Sequence, residues 1–439
     1  MIAAQYTLVS LKKLRTGVAL GCPLYDGCSD PPILLLAQGT VLTESLQELL
    51  EKRGVTDVRV NKADLGKLVR YDNEALRGSG VFGNKLASLP KIPATVKSDF
   101  KKAKETARNR PDDLPKLTPN SFAHNLQDIS GREIQAHEVR VAKTRRNIAA
   151  EKIDCLFEQL ETKDIRGTQV VTAVTAESLL QIVQDLDLFL ALGINTKERK
   201  YPSRHSLQMA MLSMAIGTVH GLSRNELIEL GIGCLIHDVG MLFLKDQTFQ
   251  TSQEFGAKES LEITKHPMLT INLLQQAKDI PKPSLMVAHQ IHERCNGEGY
   301  PRNRTANQIH PLAKIAAVAD VYVAMISFRK HRPGILPYHA IEQILFQTKN
   351  GLFDKNVVRS FLYTISVFPV GSTVLLNTGD PARVIRTNRT DFMRPVVEVW
   401  NIESPESPPK MVNLMDTDEY SIVTPLAEFP FITPEFASL

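Results

Sequence analysis

At 439 residues and about 100–200 residues per domain, the chain has room for two to four folding units. Its 43% hydrophobic and 23% charged residues are those of an ordinary globular protein and exclude wholesale disorder, a collagen-like repeat and a disulfide scaffold. With 52 Lys+Arg against 48 Asp+Glu, the charge is too near balance to argue for a nucleic-acid polymer or a membrane surface as partner. The five cysteines (Cys22, Cys28, Cys155, Cys234, Cys295) lack C-x-x-C spacing and read as reduced thiols of a cytoplasmic protein. The N-terminus has no basic segment followed by an apolar one, so no secretion signal is expected. No stretch reaches the ~18 consecutive apolar residues of a membrane span.

Residues 1–65 read as a small α+β module. TLVSL, VALGCPLY and ILLLAQG are strand-like, with Gly17, Asp26-Gly27 and Asp30-Pro31-Pro32 between them. Thr43 caps a helix over Thr43–Arg53 with Leu46, Leu49 and Leu50 at helical spacing, and VTDVRV returns as a strand. Residues 66–135 read as a basic, Pro-rich linker with one exposed helix. Its segment Lys91–Lys116 holds eight basic and four acidic residues, which is the composition of a solvated face.

From 136 to 365 the pattern is helical. Ile153, Leu156, Phe157 and Leu160 form one stripe. Thr175 is expected to cap a helix carrying Leu179–Leu186 that closes at Gly193. Another runs from Ser203 to Gly221. Ser223 with Glu226 forms a capping box for a helix reaching Gly240, and Pro267, Pro283 and Pro311 sit at first-turn positions. The last helix named here carries Lys314–Ser327. The fold class is therefore mainly α, a helical bundle. Residues 366–439 form a small β-rich appendage: PVGSTVLL, ARVIRT and PVVEVWN alternate, and a Pro-containing tail follows from Glu403.

Nine of the eleven histidines follow residue 200. They include His205, the adjacent His237-Asp238 after the apolar GIGCLI, His266, His289 and His292, with Asp320 further on. A carboxylate beside an imidazole at the end of a buried helix is costly unless a cation offsets it. Imidazole and carboxylate together suit a borderline divalent metal.

The ordered set LIHDVG, TKHP, IHERCNGEGYP and AVADVYVAM resembles the HD-GYP domain, a subgroup of the HD metal-dependent phosphohydrolases, over about residues 200–365. The resemblance implies an HD-type bundle and hydrolysis of cyclic di-GMP, or a related cyclic dinucleotide, in bacterial signalling. It implies two divalent ions, of iron, manganese or similar identity. His205, His237, Asp238 and Asp320 would bind one. Asp238 would bridge to the second, held by His266 and His292, and the pair would activate water. Gly299, Tyr300 and Pro301 would lie over the substrate. Arg329 and Arg332 would meet its phosphates and bases. A protein signalling partner and a homodimer are expected alternatives for the N-terminal module.

The sequence also departs from that family's pattern. Ile291 stands where the family has the first of two paired histidines, and His289 lies one helical turn back. Met241 replaces a lysine, Asn296 a loop aspartate and Val323 a second aspartate. Tyr201 stands where some members have a glutamate supporting a third metal. Two activities follow: a two-metal phosphodiesterase, or a degenerate module that binds a cyclic dinucleotide or a protein partner without hydrolysing it.

Overall fold

The computed structural model of the chain describes residues 6–14, 16–26, 33–53, 55–61, 68, 117–129, 132, 134–194, 201–244, 261–328, 334–401 and 407–426. The exposed helix expected within 66–135 lies wholly or partly outside these residues; Arg329, Arg332 and, in the tail from Glu403, residues 403–406 and 427–439 lie outside them.

The N-terminal residues form a module with its own core. Strands β1 (Tyr6–Ser10), β6 (Asp57–Asn61), β3 (Leu24–Asp26) and β4 (Leu34–Leu36) make one antiparallel sheet in that order, while β2 (Val18–Ala19) pairs with β5 (Val41–Leu42). Helix α1 (Glu44–Lys52) starts where the sequence places it, with the Thr43 side chain accepting from the Leu46 N–H. Leu11, Leu14, Leu20, Leu24, Leu42, Leu50, Val58 and Val60 are buried together. In β6 the burial alternates, so Val58 and Val60 point inward.

The helical part begins with α2 (Ala136–Glu161), whose buried residues include Ile153, Leu156, Phe157 and Leu160. Residues ahead of it already pack on the bundle: Phe122 is buried and its N–H donates to the Leu222 carbonyl. The single helix expected to be capped by Thr175 and closed at Gly193 is two. Helix α3 (Val170–Gln184) contains Thr175 in its interior, where the hydroxyl bonds back to the Val171 carbonyl. Helix α4 (Leu186–Gly193) is capped by Asp185, whose carboxylate accepts from the Leu188 N–H. An apolar periodicity carries across both, but the cap of the second helix interrupts the first.

Helix α5 (Ser203–His220) is almost wholly buried, ends at Gly221, and packs against α6 (Arg224–Ile236). The Ser223–Glu226 capping box is present, but the helix ends at Ile236, and a short 3-10 turn, Val239–Phe243, continues the chain. Three further helices, α7 (His266–Leu274), α8 (Lys282–Gln290) and α9 (Pro311–Ile326), each carry proline in the first turn. Helices α10 (Pro337–Lys349) and α11 (Lys355–Ile365) complete the bundle.

The C-terminal strands β7 (Thr373–Leu376), β8 (Pro381–Arg386), β9 (Val396–Val399), β10 (Lys410–Asn413) and β11 (Ile422–Leu426) form one antiparallel sheet in the order β10-β9-β8-β7-β11. The last two strands fall in what reads from sequence as tail. Val374, Val384, Val397 and Val412 join the same core as the bundle helices. A buried ion pair adds a fixed point: both Asp185 oxygens lie 2.7 Å from Arg386 Nη1. Beside it Asp187 accepts from the Thr387 hydroxyl at 2.7 Å.

Candidate metal centre

Six side chains from five parts of the bundle converge. His205 lies in the first turn of α5, His237 and Asp238 follow the end of α6, His266 opens α7, His292 follows α8, and Asp320 lies within α9. All six are buried, none more than 7% exposed. Two groups emerge, His205–His237–Asp238 and Asp238–His266–His292, and Asp238 belongs to both.

The separations are those of donors around shared ions. His205 Nε2 lies 3.1 Å from Asp320 Oδ1, and His266 Nε2 lies 3.0 Å from His292 Nε2. Asp238 Oδ1 is 3.2 Å from His237 Nε2 and 3.3 Å from His266 Nε2. His292 Nδ1 is 3.4 Å from Asp320 Oδ2. Ligand bonds of about 2.0–2.1 Å put neighbouring donors about 2.9–3.4 Å apart in octahedral or tetrahedral arrangements.

Backbone carbonyls set the imidazoles. His237 Nδ1 donates to the Cys234 carbonyl at 2.8 Å, and His266 Nδ1 donates to the Ile263 carbonyl at 2.7 Å. Each leaves Nε2 as the lone-pair nitrogen facing Asp238, the orientation that metal-binding histidines take. His237 Nε2 and His292 Nδ1 are buried with no hydrogen-bond partner among the described residues, an expensive condition that an ion relieves. These donors therefore fit divalent ions on chemistry and on unmet bonding alike.

Charge states point the same way. Burial, then the neighbouring His292, lowers His266 to about 3, so it stays neutral. Burial works against ionisation of Asp238, yet His237 and then His266 outweigh it and hold this carboxyl well below the usual range. Asp320 is held low in the same way, burial being outweighed by His205 and His292. A neutral His266 with ionised Asp238 and Asp320 suits a metal, while at His237 burial is outweighed by Asp238, which raises it.

Tyr201 has a place beyond its reading as a departure. Its hydroxyl donates to Asp238 Oδ2 at 2.7 Å, while Oδ1 faces the two histidines. Sequence carried no signal for this contact, because it joins two segments 37 residues apart. Thr270 is a second such residue. It is fully buried, and its Oγ1 accepts from the Gly240 N–H at 2.8 Å and donates to the His237 carbonyl at 3.0 Å. A hydroxyl one helical turn after His266 thus ties α7 to the turn carrying His237 and Asp238. Gly240 permits the approach, since a Cβ there would lie 2.0 Å from the His266 carbonyl oxygen.

The loop containing Gly299, Tyr300 and Pro301 covers the second group. Tyr300 lies parallel to His292, with ring centroids 4.8 Å apart at 13°. Burial, then Asp320 and Asp238, pushes its phenol up, so it remains protonated. The loop is held from below by Glu293, whose oxygens accept from the Arg302 and Arg304 N–H groups, both at 2.8 Å. Gly299 passes so close that a Cβ would lie 2.3 Å from the Arg294 nitrogen. His289 joins neither donor group. Ile291, Met241 and Val323 are buried apolar side chains. Asn296 turns the loop, its Oδ1 accepting from the Glu298 N–H at 3.1 Å.

The HD domain family matches residues 190–357, a span containing all six side chains. That span of the chain is an HD domain. The chain is 27% identical, over 249 residues, to a cyclic di-GMP phosphodiesterase of Pseudomonas aeruginosa, a match covering 54% of this chain and 58% of that protein. It is 23% identical over 193 residues to a cyclic di-GMP phosphodiesterase of Borreliella burgdorferi, covering 44% and 50%. The chain thus spans about half the length of the curated relatives it matches. A solved structure, a HDG"Y"P protein from Bdellovibrio bacteriovorus, is 16% identical, covering 81% of this chain and 98% of that one with a TM-score of 0.45. No helix among the described residues is long and apolar enough to cross a membrane.

Proposed function

We propose that this HD domain is a metal-dependent phosphodiesterase acting on cyclic di-GMP or a close cyclic dinucleotide. The observation that carries the reading is Asp238, one buried carboxylate shared by two three-donor groups. The relatives named as cyclic di-GMP phosphodiesterases supply the substrate class. In this reading His205, His237, Asp238 and Asp320 hold one divalent ion, and Asp238, His266 and His292 the other, with iron and manganese the expected identities. Such a pair supplies a water of lowered pKa and Lewis-acid stabilisation of a phosphoryl oxygen.

The chain's own residues then have separate tasks. The Cys234 and Ile263 carbonyls orient two imidazoles, and Tyr201 fixes the carboxylate that joins the groups. Tyr300 covers His292 and excludes water from that side, while Gly299 and Pro301 shape the loop toward substrate. Arg329 and Arg332, the phosphate and base contacts of this reading, lie outside the described residues.

One observation favours the second reading, binding without hydrolysis. Met241, where the resemblance expects lysine, is 3% exposed and apolar. Losing a donor to the transition-state oxyanion costs about 2.7–4 kcal/mol in barrier elsewhere. Turnover of cyclic di-GMP with Mn²⁺ or Fe²⁺, wild type against Asp238→Ala, separates them. Metal-dependent release of product that the variant lacks is expected; ligand binding with no product would move the assignment to the binding module.

A further inference from the structure

Away from the His/Asp cluster, a cavity of about 1200 Å³ opens between the bundle and the C-terminal sheet, and none of the six cluster residues lines it. Small-molecule sites commonly occupy about 300–1,000 Å³, so this one has room for a nucleotide. Helix α2 contributes Arg140, Lys143 and Arg146 to one wall. Spaced by three, they lie along neighbouring turns of one helix face. Strand β8 contributes Arg383 and Arg386.

Charge is the second feature. Among the described residues, six of the lining side chains are basic, and only Asp187 and Glu398 are acidic. Both acids are engaged at the sheet wall. Asp187 accepts from the Thr387 N–H and hydroxyl at 3.1 and 2.7 Å, and Glu398 stands opposite Arg383 in the β8–β9 register. Arg386, 2% exposed, spends Nη1 on Asp185, while its Nη2 has no hydrogen-bond partner among the described residues. Neither lining carboxylate belongs to α2. Guanidinium groups disposed in this way suit phosphate oxygens, which accept their forked donors in pairs.

The remaining lining mixes polar residues, among them Asn147, Thr364 and Ser372, with aromatic and aliphatic ones. Tyr338 and Phe368 both line the cavity with rings nearly parallel, centroids 5.5 Å apart at 17°. Cations and planar rings lining one cavity match a ligand that joins phosphate to a base. We propose that this cavity is a binding site for a phosphorylated nucleotide, separate from the metal centre.

The test is calorimetry on the full chain in EDTA, with ATP and GTP as probes and pyrophosphate as the base-free control. Arg140 is exposed and Lys143 half-buried, so Arg140→Ala/Lys143→Ala should keep the wild-type melting temperature. At least one nucleotide should bind wild type and Asp238→Ala equally, bind the double variant about tenfold or more weakly, and exceed pyrophosphate by a similar factor. Three results would overturn the proposal: neither nucleotide binding wild type, binding lost in Asp238→Ala but kept in the double variant, or pyrophosphate binding as tightly as either nucleotide.

Discussion

Thr270→Val tests whether the metal centre depends on a clip between α7 and the His237-Asp238 turn. The substitution keeps the β-branched shape and exchanges one hydroxyl, Oγ1, for a methyl group. That atom satisfies two backbone groups, the Gly240 N–H at 2.8 Å and the His237 carbonyl at 3.0 Å. Thr270 is fully buried, so water does not replace it at either group. A buried polar group left without a partner costs about 1–3 kcal/mol, which puts the pair at roughly 2–6 kcal/mol, with relaxation favouring the lower half. Thr270→Ser keeps the oxygen and loses one methyl, about 0.8 kcal/mol. Urea unfolding should rank wild type, Ser and Val in that order. Metal content after dialysis should fall in the Val variant, because His266 opens the helix the clip secures while His237 and Asp238 lie on the other side. A valine variant as stable as the serine one, with full metal content, would refute the reasoning.

Three further substitutions probe neighbouring contacts. Gly240→Ala would set a Cβ 2.0 Å from the His266 carbonyl oxygen and 2.8 Å from the Thr270 nitrogen, both backbone atoms; α7 must retreat, at a cost of about 3 kcal/mol read by thermal melting, with metal content falling in parallel. Tyr201→Phe removes the donor to Asp238 Oδ2 without opening space. Contacts behind a ligand commonly carry 10–100-fold in metal affinity, so competition against a chelator should show a loss of about tenfold or more. Arg386→Met leaves the buried Asp185 carboxylate without its guanidinium; breaking such a pair costs about 3–5 kcal/mol, and an unchanged denaturation midpoint would count against the ion pair as an anchor of the sheet.

The sequence exposes what is local. Thr43 and Ser223 cap helices because a side-chain oxygen two or three residues ahead of an N–H is a short-range signal. The six candidate ligands were legible as an ordered set, and the fold gathers them because each falls at a helix end or on a buried face. Asp185 shows the limit. In sequence it is a polar interruption within one apolar run; in the fold it starts a new helix and binds Arg386, 201 residues later. Strands β10 and β11 were read as tail because they are short, one contains Pro425, and their partners β9 and β7 supply the pairing. Tyr201 and Thr270 carry no motif, since each acts through a single oxygen on a distant segment.

The departures from the HD-GYP pattern bear unequally on metal binding and on turnover. Ile291, Met241 and Val323 are buried apolar side chains, so they occupy core volume where the pattern has charge or imidazole. Asn296 stabilises the loop turn, and Tyr201 steadies Asp238. None of the five separates the six donors, which five contacts of 3.0–3.4 Å link in a chain. By that resemblance, the substitutions remove one lysine, one histidine and three carboxylates around the centre. Metal retention and catalytic rate are therefore independent readouts: two equivalents bound would establish that the donors assemble, and only the rate could then report what replacing lysine with Met241 costs the chemistry.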